Sequence, residues 1–254
     1  MPEVGKTPWL SVHPVETEPK MRLFCFPHAG AGALSFYGWR EYLPEFVQLC
    51  PVQLPGRESR LEERPSSNMG KLLEAMTPAL RPWLDLPFAI FGHSMGSLIA
   101  FEWARALRAQ GLAGPEWLFV SGRPAPDSPP DPCPMRGLTD KEFLDEVARR
   151  YGGVSETLSQ DADWIEFFLP ILRSDIAMVE SYAFKEEEPL ACPMSVYGGA
   201  LDGSASYQDL IGWQRHARGA FDLKIFPGGH FFPVQPMLGA MSERLKIRDS
   251  SFVL

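Results

Sequence analysis

The sequence specifies an α/β fold, a mostly parallel central sheet with helices over its faces. Two observations carry this reading: six short apolar, β-rich runs recur along the chain, and segments of helical length separate several of them. A third is size, since 254 residues with 45 % hydrophobic content suffice for one substantial core, so residues 1–254 are expected to form a single domain.

The strand-like runs are Met21 to Phe26, Val47 to Leu54, Phe88 to Phe91, Trp117 to Val120, Met194 to Tyr197 and Leu223 to Phe226. Helix-length segments follow at Asn68 to Leu84, Met95 to Gln110, Tyr207 to Ala217 and Val234 to Leu245. Right-handed crossovers between parallel strands place such helices over both faces. Within Met95 to Gln110, Glu102, Arg105 and Arg108 recur every third residue, Leu98, Ile99, Phe101, Trp103 and Leu107 fill a broad apolar arc, and Gly111 supplies the stop.

Residues from about 127 to 190 interrupt the alternation and are too long for a plain connection, so they are expected to be an inserted helical lid. Thr139 to Glu142 fits a capping box ahead of a helix from Asp140 to Arg150 that stops near Gly152 and Gly153. A second helical stretch, Asp163 to Tyr182, should kink at Pro170. It carries Trp164, Phe167, Phe168, Leu169, Ile171, Leu172, Ile176 and Met178, more apolar residues than one helix face needs. They either pack the insertion onto the body or line an acyl-binding passage.

A net charge of −8 excludes a polyanion-binding surface, so no nucleic-acid partner is expected. No apolar run reaches the roughly 18 residues that a membrane helix requires, and Met1 to Lys20 lacks the apolar core of a signal peptide, which predicts a cytoplasmic protein without a membrane partner. Cys25, Cys50, Cys133 and Cys192 are widely spaced and form no CxxC pair; packing is their expected role.

The chemistry centres on Gly92-His93-Ser94-Met95-Gly96, a G-x-S-x-G element directly after one strand and directly before one helix. Such a turn exposes the Ser94 hydroxyl at a helix N-terminus. Because a hydroxyl is a poor nucleophile at neutral pH, a histidine must take its proton and an acid must orient that histidine, in the chain order serine, acid, histidine. Of the histidines at 13, 28, 93, 216 and 230, only the last two follow Ser94 suitably. His230 lies in the loop after Leu223 to Phe226, whereas His216 falls in an expected surface helix. Asp202 ends a strand and glycine turn, Tyr197-Gly198-Gly199-Ala200-Leu201-Asp202, and is the expected acid. Asp209 is expected to be a solvated helix residue and Asp175 a local structural one. The oxyanion is assigned to the backbone N–H groups of Met95 and of Ala29, the latter in the small-residue loop after the first strand, with Phe26 to Gly30 as its range. His28 and His93 are expected to orient loops. No metal-ligand spacing or phosphate-binding loop accompanies these residues, so neither metal nor cofactor is expected.

Five elements then carry a resemblance: Arg22 to Gly32 with its FPHAGAG segment, Gln53-Leu54-Pro55-Gly56-Arg57-Glu58, the Ser94 element, Ser121-Gly122-Arg123-Pro124-Ala125-Pro126, and Gly228-Gly229-His230-Phe231-Phe232. In this order they resemble type II thioesterases of polyketide and nonribosomal peptide assembly lines, which have the α/β-hydrolase fold; vertebrate medium-chain fatty-acyl thioesterases look similar. The resemblance implies hydrolysis of acyl thioesters held on phosphopantetheine arms, with acyl or peptidyl carrier protein domains as partners and an acyl-enzyme on Ser94. Carrier proteins of this family tend to be acidic, as is this chain, so docking calls for a local basic patch. Arg57, Arg60, Arg64, Arg123 and Arg136 are candidates because their segments adjoin the motif loops. The departure from familiar pattern is Gly203-Ser204-Ala205-Ser206, a small polar run expected to loosen the loop of Asp202. A carboxylesterase, an acyltransferase and a non-catalytic carrier-binding protein remain the competing readings.

Overall fold

The computed structural model describes residues 6–12, 18–153 and 161–251. Strands β1 (Met21–Phe26), β2 (Val47–Pro51), β3 (Phe88–His93), β4 (Trp117–Ser121), β5 (Met194–Gly199) and β6 (Phe221–Phe226) form a six-stranded sheet in the order β2-β1-β3-β4-β5-β6. Each pairing is parallel. All six expected strands are present. The helices are α1 (Met69–Leu80), α2 (Met95–Ala109), α3 (Asp140–Tyr151), α4 (Ala162–Glu180), α5 (Tyr207–Ile211) and α6 (Val234–Ser251).

Two-residue periodicity divides the sheet into two apolar faces. Phe24 and Phe26 join Cys50, Ile90, Val120 and Val196 on the face covered by Leu72 and Met76 of α1 and Ile99, Trp103 and Leu107 of α2. Leu23 and Cys25 join Leu49, Phe91, Phe119 and Tyr197 on the other, under Met237, Leu238, Met241 and Leu245 of α6. Cys25 and Cys50 thus pack, one on each face, whereas Cys133 is exposed and fills no core, contrary to the packing role expected of all four cysteines.

Helix ends depart from expectation where backbone chemistry intervenes. Asn68 caps α1 by accepting the Lys71 N–H, but the helix stops at Leu80: Pro82 has no N–H to continue the ladder, and Arg81–Trp83 is a 3₁₀ turn. The single helix expected over Tyr207 to Ala217 is the short α5 followed by a 3₁₀ segment, Gly212–His216. Trp213 is fully buried there and donates its Nε1–H to the Arg123 carbonyl, a tertiary bond that local periodicity does not encode.

Both halves of the Thr139/Glu142 capping box are formed, and α3 ends at Gly152. Helix α4 runs unbroken through Pro170. The two helices share an apolar cluster of Met135, Phe143, Leu144, Val147, Leu169, Leu172 and Ile176. Residues 154–160 of the expected lid lie outside the described residues, as do residues 1–5 and 13–17, with His13 among them. The polar stripe on α2 also has a use: Arg105 bonds Glu102, Glu187 and the Lys185 carbonyl, and Arg108 bonds Glu187 and the Glu188 carbonyl. It fastens the chain returning from the insertion to the body.

Candidate active site

The sheet order reverses between β1 and β3, and a crevice opens beyond the strand ends where connections leave in opposite directions. The loop after β1 and the β3-to-α2 turn flank this point. Ser94 sits in that turn with φ 54° and ψ −117°, a left-handed backbone that costs a non-glycine residue about 1–3 kcal/mol. Packing sustains it. A Cβ at Gly92 would meet the Gly96 carbonyl oxygen at 2.1 Å, and one at Gly96 would meet the Phe26 carbonyl oxygen at 2.1 Å, so both positions exclude a side chain. The Ser94 N–H donates to the Ser121 carbonyl at 2.7 Å. Ser97, fully buried, shares its one hydroxyl hydrogen between the Gly92 and Ser121 carbonyls and accepts the Ser121 N–H, fastening the turn to β4. Sequence reasoning missed Ser97; nothing in a serine one turn into an apolar helix marks it as a clamp.

His230 Nδ1 lies 2.9 Å from Asp202 Oδ2, and both side chains are buried. Ser204 completes this pair. Its hydroxyl donates to Asp202 Oδ1 at 2.6 Å, its N–H donates to the same oxygen at 2.9 Å, and its Oγ lies 3.1 Å from His230 Nδ1. The carboxylate only accepts and the hydroxyl hydrogen is committed to Asp202, so Nδ1 carries the proton and Nε2 is left as the basic nitrogen. Although burial pushes the Asp202 carboxyl up, bonds from His230 and Ser204 outweigh it and hold the group below the ordinary carboxylate range. The polar run after Asp202 therefore tightens the loop rather than loosening it. Ser206 adds to this by forming a capping box with Asp209 at the start of α5. Asp209 is accordingly a half-buried capping residue.

Ser94 and His230 line one cavity, although no hydrogen bond joins their side chains among the described residues. Apo sites often hold this contact loosely. Met95 and Ala29 line the same cavity. In the β1 loop the Gly30 N–H is committed to Asp175 Oδ2 and the Ala31 N–H to the His28 carbonyl, so of the range Phe26 to Gly30 the His28 and Ala29 amides, just before them, carry no such bond among the described residues.

Asp175 has a larger part than the local one expected. It is 1 % exposed, makes a bidentate ion pair with the buried Arg57 at 2.6 and 2.9 Å, and accepts the Gly30 N–H at 2.8 Å. Arg57 also donates to the Ala31 carbonyl. One carboxylate on α4 thus holds the β1 loop and the loop after β2 together. Arg57 is consequently no docking residue, and neither is Arg60, buried over the Trp9 ring with Glu63 and the Gln53 carbonyl as partners. Arg64 and Arg136 are exposed, and Arg123 lines the cavity.

His28 and His93 are held neutral. Burial, then His230 and Arg57, push His28 down to about 4; burial, then His230 and His28, push His93 well below its ordinary value. His93 Nδ1 lies 2.9 Å from Ser121 Oγ, which ties the elbow to β4. Gly122, with φ 61°, must lack a side chain because a Cβ would stand 2.7 Å from His93 Cε1 and 3.4 Å from His230 Cε1. His216 is not a surface residue: it is buried and its Nε2 meets Asp127 Oδ1 at 3.0 Å, remote from this cluster in role.

The cavity holds about 480 Å³ and runs from Ser94 beneath α3 and α4, between Val147 and Tyr151 on one side and Trp164, Phe168, Leu172, Ile176 and Val179 on the other. The apolar residues of the insertion divide between packing and lining this cavity: Leu169 packs, Phe168 lines the cavity, and Trp164, Leu172 and Ile176 do both.

Comparison with known proteins gives the site its context. The thioesterase domain family matches residues 21–245. This chain belongs to that family. The thioesterase is 40 % identical over 242 residues to the gramicidin S biosynthesis protein GrsT of Aneurinibacillus migulanus, covering 94 % of each chain. Its fold resembles the type II thioesterase BorB from the borrelidin biosynthetic cluster (TM-score 0.85, 31 % identity, 95 % of this chain and 99 % of that one). It likewise resembles the RedJ thioesterase of the prodiginine pathway in Streptomyces coelicolor (TM-score 0.83, 36 % identity, 91 % and 89 % covered). The α/β-hydrolase-type fold and a thioester hydrolase activity follow from this membership. Among the described residues no helix is long and apolar enough to cross a membrane.

Proposed function

We propose that this thioesterase hydrolyses acyl groups from phosphopantetheine thioesters on acyl or peptidyl carrier protein domains, as an editing or release enzyme of polyketide or nonribosomal peptide synthesis. The observation that carries it is the Ser204–Asp202–His230 chain of hydrogen bonds at the mouth of an apolar cavity that also exposes Ser94. The likeness along nearly the whole chain to a gramicidin S biosynthesis protein supports placing the substrate in such a pathway.

Ser94 Oγ attacks the thioester carbonyl carbon while His230 Nε2 takes its proton. The Met95 and Ala29 N–H groups stabilise the oxygen as charge develops on it, an effect worth about 3–4 kcal/mol per donor in such sites. Collapse breaks the C–S bond, His230 returns the proton to the departing sulfur, and the carrier regains a free thiol. Water then attacks the Ser94 ester with His230 as base, and the carboxylic acid leaves. Asp202 keeps the proton on Nδ1 throughout and stabilises the imidazolium that forms. The reading calls for no cofactor beyond the arm that the substrate carries.

Intact mass of a carrier protein loaded with acetyl or propionyl phosphopantetheine tests the proposal. Wild type should restore the free-thiol mass, and Ser94→Ala should slow release by more than a thousandfold. If wild type leaves the carrier acylated while cleaving oxygen esters, an esterase takes the place of this reading.

A further inference from the structure

None of the described residues that line the cavity belongs to Gln53-Leu54-Pro55-Gly56-Arg57-Glu58, the run that leaves β2. Its polar side chains turn instead to the backbone of the β1 loop, whose residues Ala29, Gly30, Ala31 and Ser35 do line the cavity. Gln53, 2 % exposed, accepts the Ala33 N–H on Oε1 at 3.2 Å and donates from Nε2 to the carbonyls of Arg57 at 2.8 Å and Leu54 at 3.3 Å. Arg57 donates to the Ala31 carbonyl at 3.1 Å, and the Glu58 carboxylate accepts the Leu34 N–H, at 3.1 and 3.3 Å from its two oxygens. Side chains of one loop thus hold the backbone of the other from Ala31 to Leu34. Glu58 is held at φ 49°, and apart from Ser94 it is the only non-glycine residue with positive φ among those described. Strain of this kind persists only where the surroundings impose it. Gly32 belongs to the same interlock, since a Cβ there would stand 2.3 Å from Glu58 Oε1.

We infer that Gln53 is a positioning residue for catalysis: it sets the β1 loop against Ser94, and with it the loop amide that stabilises the oxyanion, with Glu58 as a second support. This rests on the thioesterase reading and on the loop amide which that reading uses. Gln53 acts on the loop from two directions. It bonds Ala33 directly, and it holds the backbone of Arg57, whose side chain in turn holds the Ala31 carbonyl and Asp175, the acceptor of the Gly30 N–H. A side-chain amide accepts and donates at once, so it joins an N–H of one loop to a carbonyl of the other with no charge to bury. A carboxylate could not donate to the Arg57 carbonyl, and an apolar side chain would leave both groups without their partner. Donors to an oxyanion act within about 2.7–3.1 Å of it, so a small shift of this loop weakens the transition state while leaving the cavity for the acyl group in place.

The test sets two readouts side by side in wild type, Gln53→Met, Glu58→Ala and Glu58→Gln: kcat and KM for the acetyl thioester of N-acetylcysteamine, and the inhibition constant of a trifluoromethyl ketone. Ser94 adds to that ketone to give a tetrahedral adduct whose oxygen occupies the oxyanion position, so its affinity reports the loop amide without turnover. Gln53→Met should lower kcat at least about tenfold with KM within about twofold of wild type, and should raise the ketone's inhibition constant by the factor by which kcat/KM falls. Glu58→Ala should move both readouts the same way, and Glu58→Gln, which keeps an acceptor for the Leu34 N–H, should restore most of the loss. A fall in kcat/KM that the ketone's affinity does not follow overturns the positioning role, as does a lowered thermal midpoint with both readouts unchanged. Where Gln53→Met fails to fold, the exposed Glu58 decides: equal ketone affinity in wild type and Glu58→Ala overturns the brace. A wild type that binds the ketone with this dependence on Gln53 yet leaves every thioester intact counts against the thioesterase reading and leaves the positioning role standing.

Discussion

Asp202 commits one oxygen to His230 and the other to Ser204, so its charge is held by two donors from its own loop as well as by the imidazole. Ser204→Ala removes the hydroxyl bond while leaving the backbone one. A hydrogen bond to a charged group is worth about 1.5–3 kcal/mol, so kcat should fall roughly tenfold or more. KM should hold, because Ser204 does not line the cavity. The acid limb should move too. With Asp202 held below the ordinary carboxylate range, its ionised form persists into acid; without the Ser204 hydroxyl its pKa rises, and activity should be lost at higher pH than in wild type. A pH–rate profile in which kcat falls without any movement of the acid limb would mean that Ser204 acts only by steering His230. Nothing in the run Gly-Ser-Ala-Ser distinguishes this role from that of a slack loop, since both use small polar residues; the difference lies in where the hydroxyl points.

Helix α4 and the two loops beneath it meet at Asp175 and Arg57. Breaking a buried ion pair by removing one partner leaves the other charge uncompensated, at a cost of about 3–5 kcal/mol. Asp175→Leu should therefore lower the denaturation midpoint markedly. The double variant Arg57→Met/Asp175→Leu removes both charges and should recover most of that stability, because well-packed apolar pairs commonly replace buried ion pairs without loss. Activity should not recover, for the Gly30 N–H has lost its acceptor and the loop carrying Ala29 has lost its tether. Denaturant unfolding and kcat measured on the same three proteins separate the two effects; a double variant that regains both would reduce the tether to a matter of stability alone. The partners are 118 residues apart in the chain, a separation over which no local pattern relates a helix carboxylate to a loop arginine. The same distance misled the assignment of Arg57 to a docking surface: a guanidinium beside a motif loop reads identically whether it faces solvent or a buried aspartate.

For the molecule as a whole, the neutral histidines at the site make stability depend on pH. Unfolding returns His28 and His93 to an ordinary pKa near 6.5, so between that value and about 4 the unfolded chain binds more protons than the folded one. Stability then rises with pH across this window and is lost as pH falls through it. Thermal midpoints should accordingly decline from pH 7 to pH 5, and more gently in His28→Gln. A variant with the wild-type slope would show that His28 is protonated inside the folded protein. The two rings share the site with His230, so the enzyme keeps its catalytic imidazole among uncharged neighbours at the expense of acid tolerance.

What the sequence by itself determined about this protein is its plan: six buried strands, the helices between them, the elbow of Ser94, and the loops of Asp202 and His230 in their order. These are local or periodic properties. Apolar runs bury themselves, glycines admit a sharp turn, and a loop that follows a parallel strand emerges at the same end of the sheet as every other such loop. Tertiary structure alone decided which polar groups meet. It turned Ser204 toward Asp202, set Asp175 against Arg57, hid His216 beside Asp127, and brought Arg123 to the wall of the cavity. Hydrogen bonds and ion pairs depend on side-chain direction within a few tenths of an ångström. Periodicity carries no such information, and it emerges only once the sheet has brought the loops together.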